Sequence, residues 1–159
     1  MEAKDYLSRL NEILVKKQAM LREISGFTRL QRESLQGENY NELEILIAKK
    51  QERIEAVNKL DEQFSVYSSR LMDTLGITSF DHLPEYNVPG TRELKSNVAV
   101  ILDLLNEIKS LEDENSGKMK AELSNLKGKI KQSNSFKKIN TAYNSPKTGI
   151  TNHYFDKKK

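Results

Sequence analysis

The sequence has no cysteine, which removes disulfide frameworks, thiol nucleophiles and cysteine-based zinc sites and agrees with a reducing compartment. Proline numbers three and glycine seven in 159 residues. From Ala3 to Leu35 there is no proline and only Gly26, so nothing in that stretch obliges a helix to stop. Long apolar runs are missing as well: nowhere do about 18 apolar residues follow one another, as a membrane-spanning helix requires. No membrane insertion is expected. The opening Met1-Glu2-Ala3-Lys4-Asp5 has no apolar core behind it of the kind a secretory signal carries, and the expected location is the cytoplasm.

Catalytic signatures are equally scarce. His82 falls in a loop and His153 in the tail, neither at ligand spacing from another histidine. There is no glycine-rich phosphate loop, no Gly-x-Ser-x-Gly elbow and no EF-hand loop. The acids Glu112-Asp113-Glu114 point around one helix instead of converging, and most other carboxylates are expected on solvated faces. The expectation is a protein that is not an enzyme and needs no metal or cofactor.

Charge and apolar spacing carry the positive information. The net charge of +3 is uneven: residues 127–159 hold nine lysines against the single acid Asp156, whereas residues 1–126 hold 17 basic and 22 acidic residues. The tail lysines are scattered, arginine is absent there, and no cationic stripe forms, so no nucleic-acid partner is expected. After about Gln132 the residues are mainly Asn, Ser, Lys, Thr, Pro and Gly, with little to bury, and 132–159 reads as a disordered basic tail.

Before it, apolar residues recur at three-and-four spacing, the mark of amphipathic helices. Tyr6, Leu7, Leu10, Ile13, Leu14, Leu21 and Ile24 predict a first helix over 3–36, in which Gly26 is expected to mark close packing or a bend. Gly37, able to adopt the left-handed conformation, and Asn39 or Asn41 as a cap predict a tight turn. Leu43, Ile47, Ile54, Val57, Phe64 and Leu71 predict a second helix over 40–75, its register interrupted by Lys50, Asp61 and Ser68. Prolines and glycines mark a loop at 76–90, where Ser79 or Asp81 could cap a short turn and Phe80, Leu83 and Tyr86 fold back. Thr91 is the expected cap of a third helix over 91–131, in which Glu112 and Asn115 take positions suited to aliphatics. The fold expected is all-α: an elongated antiparallel helical hairpin plus a long third helix, forming a helical domain over 1–131.

One stretch goes beyond generic helix. Leu35-Gln36-Gly37-Glu38-Asn39-Tyr40-Asn41-Glu42-Leu43-Glu44-Ile45-Leu46-Ile47-Ala48-Lys49-Lys50-Gln51, running on to Ile54, Val57 and Leu60, resembles the hairpin of the FlgN-type flagellar export chaperones. Leu75-Gly76 and Ile101-Leu102-Asp103-Leu104-Leu105-Asn106-Glu107-Ile108, followed by Leu111 and Asn115, resemble the later part of that family, with Lys118-Met119 where its pattern has adjacent aliphatics. The resemblance implies a cytosolic chaperone for the two hook-associated proteins that join flagellar hook to filament, which keeps their helical termini unassembled and delivers them to the export gate. It implies client binding by the C-terminal part, hence Leu111, Met119, Leu123, Leu126 and Ile130. Tyr143, Tyr154 and Phe155 in the tail are candidates for docking on the export gate. Alternatives are a chaperone or regulator for another flagellar client, or a structural coiled coil that self-associates as a homodimer.

Overall fold

The computed structural model describes residues 1–126. They form three long helices, α1 (Ala3–Gln36), α2 (Tyr40–Leu75) and α3 (Thr91–Leu126), with a 3-10 segment at Phe80–Tyr86. At about 1.5 Å per residue each long helix extends about 50 Å. No strand occurs among the described residues, and the expected all-α architecture is observed.

Cross-contacts fix the directions. Lys17 meets Asp61 and Gln31 meets Lys50, so α2 descends as α1 climbs. Gln18 meets Asn97 and Thr28 meets Glu112, so α3 climbs alongside α1. The result is an up-down-up bundle in which α2 and α3 both pack along α1. Its main core joins Leu10, Leu14, Leu21 and Ile24 of α1 to Val57, Phe64 and Leu71 of α2 and to Leu94, Ile101 and Ile108 of α3. A second, smaller cluster of Leu35, Leu43 and Met119, with Tyr40 and Ile47 against it, lies at the α1–α2 turn.

The turn differs from expectation in one residue. Gly37 has an ordinary φ of −85°, and Glu38 takes the left-handed conformation at φ 54°. The closing hydrogen bonds explain why: Glu38 N–H bonds Leu35 O at 3.3 Å inside the longer bond from Asn39 N–H to Ser34 O at 2.9 Å. This double closure requires the reversal at Glu38, the donor of the inner bond, which costs about 1–2 kcal/mol for a residue with a Cβ. Asn39 then caps α2, its side-chain oxygen accepting from Glu42 N–H at 3.2 Å.

At the opposite end Gly76 is left-handed and closes α2. Ser79 caps the 3-10 segment by accepting from Asp81 N–H at 3.2 Å. Leu83 is buried and Phe80 sits edge-on against Phe64, ring centroids 6.4 Å apart, whereas Tyr86 remains exposed instead of folding back. Thr91 does not act as an accepting cap; its hydroxyl donates to Val88 O at 2.7 Å. Gly90 fastens α3 to α1: its φ is +99°, its carbonyl accepts from Asn11 Nδ2, and a Cβ there would lie 3.1 Å from that same nitrogen.

Gly26, expected to mark close packing or a bend, makes no close contact. It is exposed, α1 continues through it, and an added Cβ would meet nothing within 4 Å. Gly26→Ala is expected to raise unfolding stability by about 0.5–1 kcal/mol through helix propensity and a less free unfolded chain. Gly90→Ala is expected to lower it by about 1–3 kcal/mol, because strain and crowding coincide there. Urea midpoints of the two variants should therefore move in opposite directions.

Candidate functional site

The polar residues that interrupt the apolar register face one another across the helices. Lys17 is fully buried on α1, and its ammonium donates to Asp61 Oδ1 of α2 at 2.7 Å. Burial pulls the Lys17 ammonium below the ordinary lysine value of 10.5, an effect that the hydrogen bond and charge of Asp61 oppose without cancelling. Desolvation therefore outweighs attraction at this pair. Ser68, the third interruption of α2, returns its hydroxyl to Phe64 O within its own helix.

Nearer the hairpin turn lies a second polar layer. Lys50 of α2 donates to Gln31 Oε1 of α1 at 2.6 Å and to Glu112 of α3. Thr28 donates to Ile24 O at 2.7 Å and has Glu112 at 3.4 Å. One turn further along α3, Asn115 Nδ2 donates to Thr28 O at 2.9 Å, while its buried Oδ1 has no hydrogen-bond donor among the described residues. Exposed pairs flank the layer: Arg29 with Glu107 and Arg32 with Glu114. Glu114 thus reaches across to α1, and Glu112, at a position suited to an aliphatic, is buried.

Beyond this layer is the apolar cluster at the turn. Met119 of α3 is 1% exposed and fits against Leu35 of α1 and Leu43 of α2. Burial of such a side chain is worth about 1.5–3 kcal/mol. Tyr40 borders the cluster and faces Glu122; burial first, then the charges of Glu122 and Glu38, push its phenol above the usual value of 10.0.

Of the candidate client-binding residues, Leu111 and Met119 are buried in the bundle. Leu123 and Leu126 belong to the last turn of α3, their side chains lying outside what is described. Ile130, Tyr143, Tyr154 and Phe155 fall outside the described residues, as does the basic tail. What the sequence reading missed is the other side of Met119, namely Leu35, Tyr40, Leu43 and Ile47. Its signal was present: an apolar set on each side of the turn, cut off from the remaining seam by Gln31 and Lys50.

Among the described residues no group of three or more His, Asp or Glu side chains could hold a metal ion, and no helix is long and apolar enough to cross a membrane. A family model described as FlgN protein matches residues 1–149. The chain belongs to the FlgN family. FlgN proteins are flagellar export chaperones, and that general role holds for this chain. No curated protein and no solved structure matches it significantly. The α1–α2 turn and the long α3, the parts on which the resemblance rested, both lie within the matched residues.

In this FlgN chain the two polar layers can be separated by mutation. Lys17→Met should destabilise by about 3–5 kcal/mol by removing one member of a buried ion pair, while Lys17→Met combined with Asp61→Leu should return to wild-type stability or exceed it by about 1–4 kcal/mol. The pH dependence has a definite sign. Below the lowered folded value of Lys17 both states hold the proton; as pH rises through it toward 10.5 the folded chain loses the proton first, and the Lys17 contribution to stability rises. The advantage of the double variant should shrink as pH rises toward 10.5 in urea titrations. At the second layer, Asn115→Leu exchanges an amide with an unmet acceptor for apolar volume and should add about 1 kcal/mol, read as a higher melting temperature.

Proposed function

We propose that this FlgN chain binds the hook-associated proteins that join flagellar hook to filament, holds their helical termini unassembled, and delivers them in the cytoplasm to the flagellar type III export gate. The observation that carries this reading is the family match over residues 1–149. The physical logic supports it. Amphipathic client helices bury an apolar stripe on one another during assembly, and a partner helix that covers the stripe first prevents both early polymerisation and aggregation. Three helices of about 50 Å give the length such contacts need, and covering a stripe is an equilibrium that requires no nucleotide.

The proposed division is a chaperone domain over 1–131 and a basic tail over 132–159. Client contact is assigned to the end of the bundle where α3 meets the hairpin turn, with Leu111, Met119, Leu123 and Leu126 of α3 and Ile130, outside the described residues, as the residues concerned. Tyr143, Tyr154 and Phe155 of the tail are assigned to docking on the export gate, each aromatic filling a pocket beside lysines that suit an acidic surface.

A pull-down from extract of the source bacterium, with the full-length chain and with a version ending at Gln132, tests the reading. Recovery of hook-associated proteins by both versions is expected, with export-gate components held by the full-length chain alone. Recovery of further copies of this chain and nothing else would replace the chaperone assignment with a structural, self-associating role.

A further inference from the structure

The turn end of the bundle is built differently from the rest. Up to Ile108, α3 shares the main core with both other helices, whereas Met119 enters a separate pocket formed within the hairpin by Leu35, Tyr40, Leu43 and Ile47. The polar layer of Gln31, Lys50 and Glu112 stands between the two clusters. On the far side of that layer few contacts hold α3 among the described residues. Between Asp113 and Glu122 the described inward contacts include the Asn115 bond to Thr28 O, the Met119 side chain and the meeting of Glu122 with Tyr40, with the exposed Arg32–Glu114 pair outside them.

Three further features weaken this stretch. Asn115 is fully buried with an oxygen that no described donor meets. Asn115-Ser116-Gly117 are three poor helix formers in succession, and Gly117 has open space around it. Short segments with few apolar contacts open on their own, ahead of the global transition. Glu112 is anchored on Lys50 from a second helix, and breaking that buried pair would strand a charge. The layer is thus the natural stop for such an opening.

We propose that Met119 is a plug. The stretch from Asp113 to Glu122 leaves the hairpin as a unit, Lys50 and Glu112 keep the preceding part of α3 in place, and an amphipathic helix of the client seats a large apolar side chain in the pocket of Leu35, Tyr40, Leu43 and Ile47. This rests on the chaperone reading above. The occupant follows from what fills the pocket now: the apolar ridge of a helix, carrying an amide donor four residues before its anchor. A client helix that places a donor four residues before a large aliphatic or methionine side chain satisfies Thr28 O and the pocket together. Methionine suits the plug, since its flexible thioether fills the site without demanding one geometry. On this account Met119 competes with the client for the pocket, which replaces, for this one residue, the direct client contact assigned to it above.

Competition and gripping predict opposite signs. Synthetic peptides spanning the terminal helices of the two hook-associated junction proteins of the same bacterium are titrated calorimetrically into the full-length chain, into Met119→Ser and into Leu43→Ser. The expected result is about tenfold tighter binding by Met119→Ser, because the competent open form becomes more populated, and weaker binding by Leu43→Ser. Equal or weaker binding by Met119→Ser, with the wild type still binding, overturns the plug and leaves the chaperone reading standing. No binding by any chain removes the chaperone reading and with it this occupant. Amide hydrogen exchange on the wild type needs no variant to fold: peptide is expected to lower protection over 113–122 and raise it over 35–47. Increased protection over 113–122 would overturn the plug.

Discussion

Helix α1 is packed on two sides, and most of the structure follows from that constraint. A helix with one partner can turn its polar residues to water; one flanked by both α2 and α3 has too little free circumference. Half of the fourteen buried residues of α1 are polar, and each must find a partner or carry the penalty of an unmet group. Lys17 finds Asp61, Gln31 finds Lys50, and Asn11 and Gln18 meet through Asn97. A one-heptad slip of α2 against α1 is about 10 Å of travel. It would keep apolar residues against apolar residues while leaving Lys17 and Asp61 buried apart. Such a slip is cheap in a uniform Leu seam and prohibitive in this one, so the polar positions sacrifice stability and secure register.

That balance also explains what was readable in the sequence. Helix extents followed from apolar period and from where glycine and proline fall, because a run such as Leu7, Leu10, Leu14, Leu21 and Ile24 has one low-energy reading. The interruptions at Lys50, Asp61, Glu112 and Asn115 were equally visible as breaks in that period. Which break meets which was not, because pairing depends on the stagger between helices, a tertiary quantity that no local pattern encodes. The turn shows the same limit on a smaller scale. Gly37 was the residue best suited to a left-handed conformation, yet the closing hydrogen bonds place the reversal at Glu38. Tyr86 failed as a core residue: Leu83 and Phe80 of the same segment join the main core, while Tyr86 stays exposed.

The candidate site was legible on one side only. Family resemblance pointed to the later part of α3, and Met119 does occupy a special place, but as a buried residue whose partners come from the hairpin turn. Finding Leu35, Tyr40, Leu43 and Ile47 required seeing that Gln31 and Lys50 divide the hairpin, so that the apolar residues beyond them form a pocket of their own. A polar layer across a bundle does more than fix register. Apolar contacts on its two sides no longer reinforce one another directly, so opening one side need not cost the burial of the other.

For a chaperone that must also let go, this separation has a consequence for affinity. A client binding a permanently open groove would gain the full benefit of its buried apolar area. One binding a pocket that is open for a small fraction of the time gains that benefit reduced by the same fraction: at about 1% open, apparent affinity falls about a hundredfold. The closed form keeps the pocket's own apolar surface out of water while no client is present, which an always-open groove cannot do. If Met119 is the plug proposed above, a lowered affinity and a protected empty state come from the same few residues, Asn115 to Met119, and improving their fit to the hairpin would strengthen the free fold at the expense of client binding.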